Sequence, residues 1–199
     1  RGHANVDHEG LSSLLRMSRE ERRDKTAFYY RCLGFSDYVA IDVNDTYDSL
    51  VMDLNKDLRE DYGYDRTFSL ATNNGTGEHI FDQASVLRNL HALVKPGGLM
   101  LHVMPFVNYI NHGFYSYHPN LFHALAGANG YRIVAIGLGN RRGYGSVAVP
   151  EPEVEAFTPD LHGEKRVELR TLLAKPKLPG RAPGSRLKYW GRRILESAK

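Results

Sequence analysis

Phe68-Ser-Leu-Ala-Thr-Asn-Asn-Gly-Thr-Gly-Glu-His79 and Lys95-Pro-Gly-Gly-Leu-Met-Leu-His-Val-Met-Pro-Phe106, with a helix pattern between them, decide the fold of this chain. Phe68 to Ala71 reads as a short apolar strand that runs into a polar, glycine-bearing turn. A helix is expected from Ile80 to Val94. Ile80, Ala84, Leu87 and Val94 recur there near a 3.6-residue period, and Phe81, Val86, Leu90 and Leu93 broaden that face. Pro96-Gly97-Gly98 stops the helix, and a second apolar strand covers Leu99 to Met104. The product is a strand–helix–strand unit of a parallel sheet. Ligands of such sheets bind beyond the carboxyl ends of the strands. The first turn carries Asn73, Asn74, Thr76, Glu78 and His79; the second carries Pro105, Asn108, Asn111 and His112. Gln83, just after the Glu78-His79 pair, is placed to hold that turn.

Upstream, Tyr38-Val-Ala-Ile41 is a β-branched and aromatic run ending at Asp42. Leu50 to Asn55 is a further short strand ending in polar residues, and residues 56–66 read as a polar loop. Nearer the start, Leu11, Leu14, Leu15 and Met17 form an apolar stripe, and Ser18-Arg-Glu-Glu21 is placed to cap a helix through Tyr30. Downstream, residues 106–120 form an aromatic and polar loop of the kind that lines small-molecule pockets. Asn120 is the expected cap of a helix through Ala128, closed by Asn129-Gly130. Tyr131 to Leu138 is the next strand. Gly137-Leu-Gly139-Asn140 and Gly143-Tyr-Gly145 have no helix pattern after them, so they read as a flexible loop rather than a phosphate cradle. Pro150 to Asp160 is a surface connection. In Val167 to Ala174, apolar residues alternate with Glu168 and Arg170, which suits a terminal strand inserted antiparallel. His91 and His102 lie within apolar patterns and read as structural.

The chain has 199 residues, 42% hydrophobic and 25% charged, which suits one globular domain with a substantial core. A net charge of +3 selects no class of partner. Cys32 stands alone, so no internal disulfide forms. With no signal-peptide pattern and no apolar run of roughly 18 residues, the expectation is a cytoplasmic protein without a membrane span. Residues 176–199 form a basic, Pro- and Gly-bearing tail behind an α/β domain of residues 1–175. Such a tail suits nucleic acid or anionic lipid. The favoured reading instead packs Tyr189 and Trp190 on the chain's own domain or on a second subunit, so nucleic acid is not favoured and a homo-oligomer is admitted.

In order, these motifs are an acid-ending strand (Tyr38 to Asp42), an Asp53-Leu-Asn55 strand end, a strand and turn with Glu78-His79, and Lys95-Pro-Gly-Gly-Leu99 before a strand. Over about residues 36–175 this resembles the class I S-adenosylmethionine-dependent methyltransferases, closest to small-molecule O-methyltransferases with a Glu-His pair after the fourth strand. The resemblance implies an α/β fold with a Rossmann-like, mostly parallel sheet flanked by helices and an antiparallel last strand. It also implies S-adenosylmethionine as cofactor. Asp42, with Val43 after it, would hold the ribose. Asp53, Leu54 and Asn55 would frame the adenine, and Asn73 and Asn74 would pass beneath the methionyl part. His79 or His112, with Glu78, would handle the acceptor proton.

Some ubiquinone-pathway and small-RNA 2′-O-methyltransferases hold a divalent ion with a Glu-x-x-Glu-His set and a distant histidine. Gly75 stands where the first glutamate would, so no metal ligand is assigned and a divalent metal is not favoured. The family's glycine-rich first turn has no Gly-x-Gly-x-Gly counterpart before Asp42. Two readings follow: Arg1-Gly2-His3 is the remnant of that turn with its strand upstream, or the chain is a natural short form with weakened cofactor binding. The implied activity is O-methylation of a small hydroxylated molecule such as a sugar or secondary metabolite. The alternative is a non-catalytic methyltransferase-like binding or scaffold subunit.

Overall fold

The computed structural model describes residues 6–18, 25–45, 48–140, 143–148 and 166–177. The expected remnant turn at Arg1-Gly2-His3, the Pro150–Asp160 connection and the tail beyond residue 177 lie outside them. The chain forms two compact units, Arg1–Asp53 and Leu54–Lys199.

In the first unit, α1 (His8–Arg16) starts where the Asp7 carboxylate accepts the Gly10 amide at 2.9 Å. Leu14 is its buried residue, while Leu15 is 72% exposed, so the expected apolar stripe is narrower than its sequence. Of the helix expected from Ser18 through Tyr30, residues 19–24 lie outside the described residues, and α2 covers Thr26–Cys32. The Tyr30 ring meets Phe35 edge-on and stacks on Tyr38. β1 (Ile41–Asp42) and β2 (Leu50–Val51) pair in parallel, joined by Leu50 N–H to Ala40 O and Met52 N–H to Asp42 O. The two runs predicted as longer strands thus contract to two residues each, because only there does backbone face backbone.

The second unit opens with a correction. Residues 56–66, read as a loop, contain α3 (Leu58–Tyr62). Asp57 accepts from the amides of Arg59 and Glu60 at 2.9 and 3.0 Å, and Gly63 closes the helix with φ +64°. Asn89, buried on the later helix Gln83–Leu93, holds this segment in place. Its Oδ1 accepts the Leu58 amide at 3.1 Å, and its Nδ2 donates to Lys56 O at 2.8 Å.

β3 (Phe68–Asn74) and β4 (Val94–Val107) run in parallel with Ala71 beside Met100 and Asn73 beside His102. Between them, α4 (Gln83–Leu93) starts from Asp82, which accepts the Ser85 amide at 3.0 Å. The helix is shorter than Ile80 to Val94, and β3 is longer than Phe68 to Ala71. The parallel ladder explains the strand: Asn73 and Asn74 still face paired backbone on β4, whatever the polarity of their side chains. Val94 already pairs with Phe68, and the register then jumps to Leu70 beside Leu99, so Lys95 to Gly98 form a bulge.

α5 (Pro119–Asn129) begins at His118, whose Nδ1 accepts the Asn120 amide at 3.2 Å, so His118 rather than Asn120 is the cap. It ends at left-handed Gly130. β5 (Arg132–Asn140), β6 (Gly143–Ala148) and β7 (Val167–Ala174) complete a five-stranded sheet in the order β3-β4-β7-β5-β6. β3, β4 and β5 run in one direction. β7 lies between β4 and β5, antiparallel to both, as its alternating pattern predicted. Gly137-Leu-Gly139-Asn140 and Gly143-Tyr-Gly145, expected to be a flexible loop, are instead strand in β5 and β6, which pair antiparallel, since a ladder needs backbone groups rather than side chains.

The main core lies between α5 and the sheet. Phe122 and Leu125 pack with Met100, Met104, Leu169 and Leu173, all nearly inaccessible. A smaller cluster sets Ile80, Val86 and Leu90 against Leu54 and Ala71. His91 is structural, as read, with its Nδ1 2.5 Å from the Tyr131 hydroxyl. Lys175 donates to the His91 and Val94 carbonyls at the end of α4.

The bulge makes its own demand on sequence. A Cβ on Gly98 would stand 2.8 Å from Val94 Cγ1 and 2.9 Å from the Ser69 carbonyl oxygen. Because one of these neighbours is backbone, Gly98→Ala should cost about 1–3 kcal/mol, read as a lower urea midpoint.

Candidate active site

Glu78, His79 and His112 meet beyond the carboxyl ends of β3 and β4. The turn after β3 is built from Asn73 upward. Asn73 is 4% exposed, and its Oδ1 accepts the Gly77 amide at 2.9 Å. Its Nδ2 faces His102 Nδ1 at 3.5 Å, which fits the neutral tautomer that leaves Nδ1 as acceptor. A Cβ on Gly77 would fall 2.9 Å from Asn73 Nδ2 and 3.2 Å from the Tyr117 hydroxyl. Gly77-Glu78-His79 therefore closes as one 3₁₀ turn. Gln83, as expected, holds it by donating from Nε2 to the Gly77 and Ile80 carbonyls at 2.7 and 2.6 Å. Its Oε1 accepts from the Tyr117 hydroxyl.

The loop after β4 folds onto this turn. Asn108, Asn111 and Gly113 all take left-handed backbone, which asparagine tolerates better than most residues and glycine freely. A Cβ at Gly113 would stand 2.8 Å from the Glu78 carbonyl oxygen, and the Phe114 amide donates to that carbonyl at 2.7 Å. The loop thereby buries Glu78 to 1% exposure and sets His112 beside it.

The Glu78 Oε1 lies 3.3 Å from His112 Nε2 and 3.8 Å from His79 Nε2. The two imidazoles meet edge-on with ring centres 4.9 Å apart, and Tyr109 lies 5.2 Å from His112. Glu78 Oε2 is buried with no hydrogen-bond partner. Burying a carboxylate oxygen unpaired is costly, so nearby positive charge or a bound donor is favoured there. One ligand atom from each of Glu78, His79 and His112 falls within 4.8 Å of the others, the reach of a divalent cation; among the described residues no fourth His, Cys, Asp or Glu joins the group. Burial, and after it the Glu78 charge, push the Tyr117 phenol up.

The three residues read as catalytic thus come together. The residues expected from the sequence to bind cofactor divide between the units. Asp42 and Val43 are exposed at the end of β1, where Asp42 Oδ1 accepts the Asn44 amide at 3.3 Å, and Asp53 closes the same unit. Leu54 and Asn55 open the second unit, and Asn55 Oδ1 accepts the Asp82 amide at 2.9 Å. Asn74 is exposed, whereas the Asn73 side chain is engaged internally. The sequence marks His102 as structural without naming Asn73 as its partner, and gives no sign that Asn89 holds the segment from Leu54 to Leu58. His102 and Asn89 are both polar residues inside apolar runs, a pattern that signals an internal hydrogen-bonding duty without naming the partner.

The fold and site define a Rossmann-like α/β protein with an inserted antiparallel strand and a polar cluster beyond its parallel strands. A family described as a methyltransferase domain matches residues 22–135, more than half of the chain, and the chain belongs to that family. Its fold is that of the class I S-adenosylmethionine-dependent methyltransferases, as the motifs implied. The solved structure of Burkholderia thailandensis 1,6-didemethyltoxoflavin-N1-methyltransferase, with bound 1,6-didemethyltoxoflavin and S-adenosylhomocysteine, is similar. It has a TM-score of 0.51 and 15% identity, with 78% of this chain and 67% of that chain covered. No curated protein matches the sequence.

Burial pushes His102 down to about 4, and burial followed by the Lys175 charge does the same to His91. An unfolded histidine titrates near 6.5, so between those values the unfolded chain binds more protons. Stability is then complete above about pH 6.5 and falls as pH drops toward about 4, by on the order of 3 kcal/mol for each fully shifted histidine. Urea midpoints across that range should show this slope, and His102→Gln should flatten it by one proton's share.

Proposed function

We propose that this chain transfers a methyl group from S-adenosylmethionine to a hydroxyl of a small molecule, a sugar or secondary metabolite, with His112 as the base. The observation that carries the reading is the buried Glu78 carboxylate 3.3 Å from His112 Nε2. When bound, the cofactor supplies an electrophilic methyl group, so the hydroxyl oxygen gains the C–O bond while the C–S bond breaks and leaves its electron pair on sulfur. The protein's part is alignment and proton removal. With Nε2–H donated to Glu78, neutral His112 carries its lone pair on Nδ1, where the hydroxyl proton goes. Glu78 then stabilises the imidazolium that forms. His79, half exposed beside it, orients the acceptor oxygen.

The residues present fit the cofactor. Asp42 offers an exposed carboxylate at the end of a parallel strand, suited to two ribose hydroxyls, with Val43 beside it. Asp53, Leu54 and Asn55 take the adenine. Asn74, exposed at the end of β3, takes the methionyl part, with Asn73 shaping the backbone beneath. Of these residues, Asp42, Val43 and Asp53 belong to the first unit, and Leu54, Asn55, Asn73 and Asn74 to the second. The Burkholderia enzyme acts at N1 of its acceptor; the hydroxyl assignment here rests on the base instead.

The orphaned Glu78 Oε2 and the three gathered donors favour one second reading, a divalent ion held by Glu78, His79 and His112. Such an ion would lower the pKa of a hydroxyl held there. Among the described residues no helix is long and apolar enough to cross a membrane. The lone, buried Cys32 supports a reducing compartment such as the cytoplasm.

Calorimetric titration with S-adenosylhomocysteine should give binding that Asp42→Ala weakens at least about tenfold, as loss of a charged hydrogen-bonding partner requires. Absence of binding by the wild-type chain would sink the proposal. His112→Gln should keep that affinity and lower kcat by about 10²–10⁴ in a methyl-transfer assay with hydroxylated acceptors. A rate that rises with added magnesium and falls in chelator would select the metal reading. Binding without turnover on any acceptor would return the non-catalytic subunit.

A further inference from the structure

Phe81 and Phe114 are 74% and 68% exposed, and each lies two residues beyond a histidine of the Glu78 cluster. Ile110, two residues before His112, is 79% exposed. Single exposed apolar side chains are ordinary. These are not independent. The Phe81 and Phe114 rings meet edge-to-face with centres 6.3 Å apart, and Tyr115 meets Phe114 in the same manner at 6.4 Å. Backbone contacts lock the arrangement to the site. The Phe114 amide donates to the Glu78 carbonyl at 2.7 Å, and the Tyr115 hydroxyl donates to the Phe81 carbonyl at 2.9 Å. Rings that stay wet while their backbone is held rigid offer apolar area at little ordering cost.

Resting on the methyltransferase reading above, we propose that Phe81 and Phe114 form a platform that receives the planar aromatic body of the acceptor, its phenolic hydroxyl directed to His79 and His112. Edge-to-face and offset ring contacts favour a flat π-system over a flexible chain. A phenolic hydroxyl also gives up its proton far more readily than an alcohol, which suits a histidine base. The acceptor class is therefore a phenol or hydroxylated heteroaromatic, in preference to a sugar.

The test is calorimetry of the full chain with 2-naphthol, phenol and methyl glucoside, on wild type, Phe81→Ser/Phe114→Ser and Phe114→Leu. Both rings are exposed, so the variants should fold, as circular dichroism would verify. The proposal expects 2-naphthol to bind about tenfold tighter than phenol, the scale of one or two good ring contacts. The double serine variant should lose that advantage, Phe114→Leu should lose part of it, and methyl glucoside should give no heat. Equal affinity for 2-naphthol and phenol, or full retention by Phe114→Leu, would overturn it. So would ring-dependent sedimentation with phosphatidylcholine–phosphatidylglycerol vesicles without naphthol discrimination, which would make the rings a lipid contact. A parallel titration with S-adenosylhomocysteine keeps the two proposals apart. Cofactor binding without ring-dependent naphthol binding defeats only the platform, and the reverse defeats only the methyltransfer reading.

Discussion

The parallel ladder between Phe68–Asn74 and Val94–Val107 is the constraint on which the candidate site depends. Its register sets Asn73 beside His102, and Asn73 then holds the Gly77 amide. From that bond the 3₁₀ turn takes its direction, and Glu78 is carried into the protein. A slip of one residue would turn Asn73 to the opposite face and leave the Gly77 amide without its acceptor. The buried, neutral His102 contributes because it accepts there and adds no charge to an interior that could not solvate one.

Glu78 illustrates how a costly group is retained. A carboxylate at 1% exposure with one orphaned oxygen is a poor way to stabilise a fold. It is held by three left-handed residues of the following loop and by glycines at positions 77 and 113, where any side chain would collide. Groups buried at such expense concentrate where chemistry is done. The same loop brings His112 to Glu78 and leaves Phe114 in water, so one backbone path supplies both the proposed base and the apolar surface beside it.

The chain belongs to a methyltransferase family, yet 15% identity to a solved structure of the same fold leaves its acceptor to be argued from its own residues. The inserted β7 relates the two levels of description. Its alternating pattern, Val167, Leu169 and Thr171 buried against half-buried Glu168 and Arg170, places it between β4 and β5 and completes the sheet.

The sequence by itself determined the strand–helix–strand unit and the antiparallel last strand, and it singled out Glu78, His79 and His112 as candidates. Hydrophobic period and turn chemistry are local properties, and a Glu-His pair at a strand end is visible without coordinates. Tertiary structure alone decided the rest. Asn73 and Asn74 read as turn residues but lie in β3, and Gly143-Tyr-Gly145 reads as loop but pairs with β5, because ladder bonds come from partners remote in sequence. Asp57 capped a helix in a stretch too short and polar to show a period. That His112 meets Glu78 across 34 residues depends on left-handed turns at Asn108, Asn111 and Gly113. No periodicity encodes such a path, since it is set by how the loop packs against a turn that the β3–β4 register has already placed.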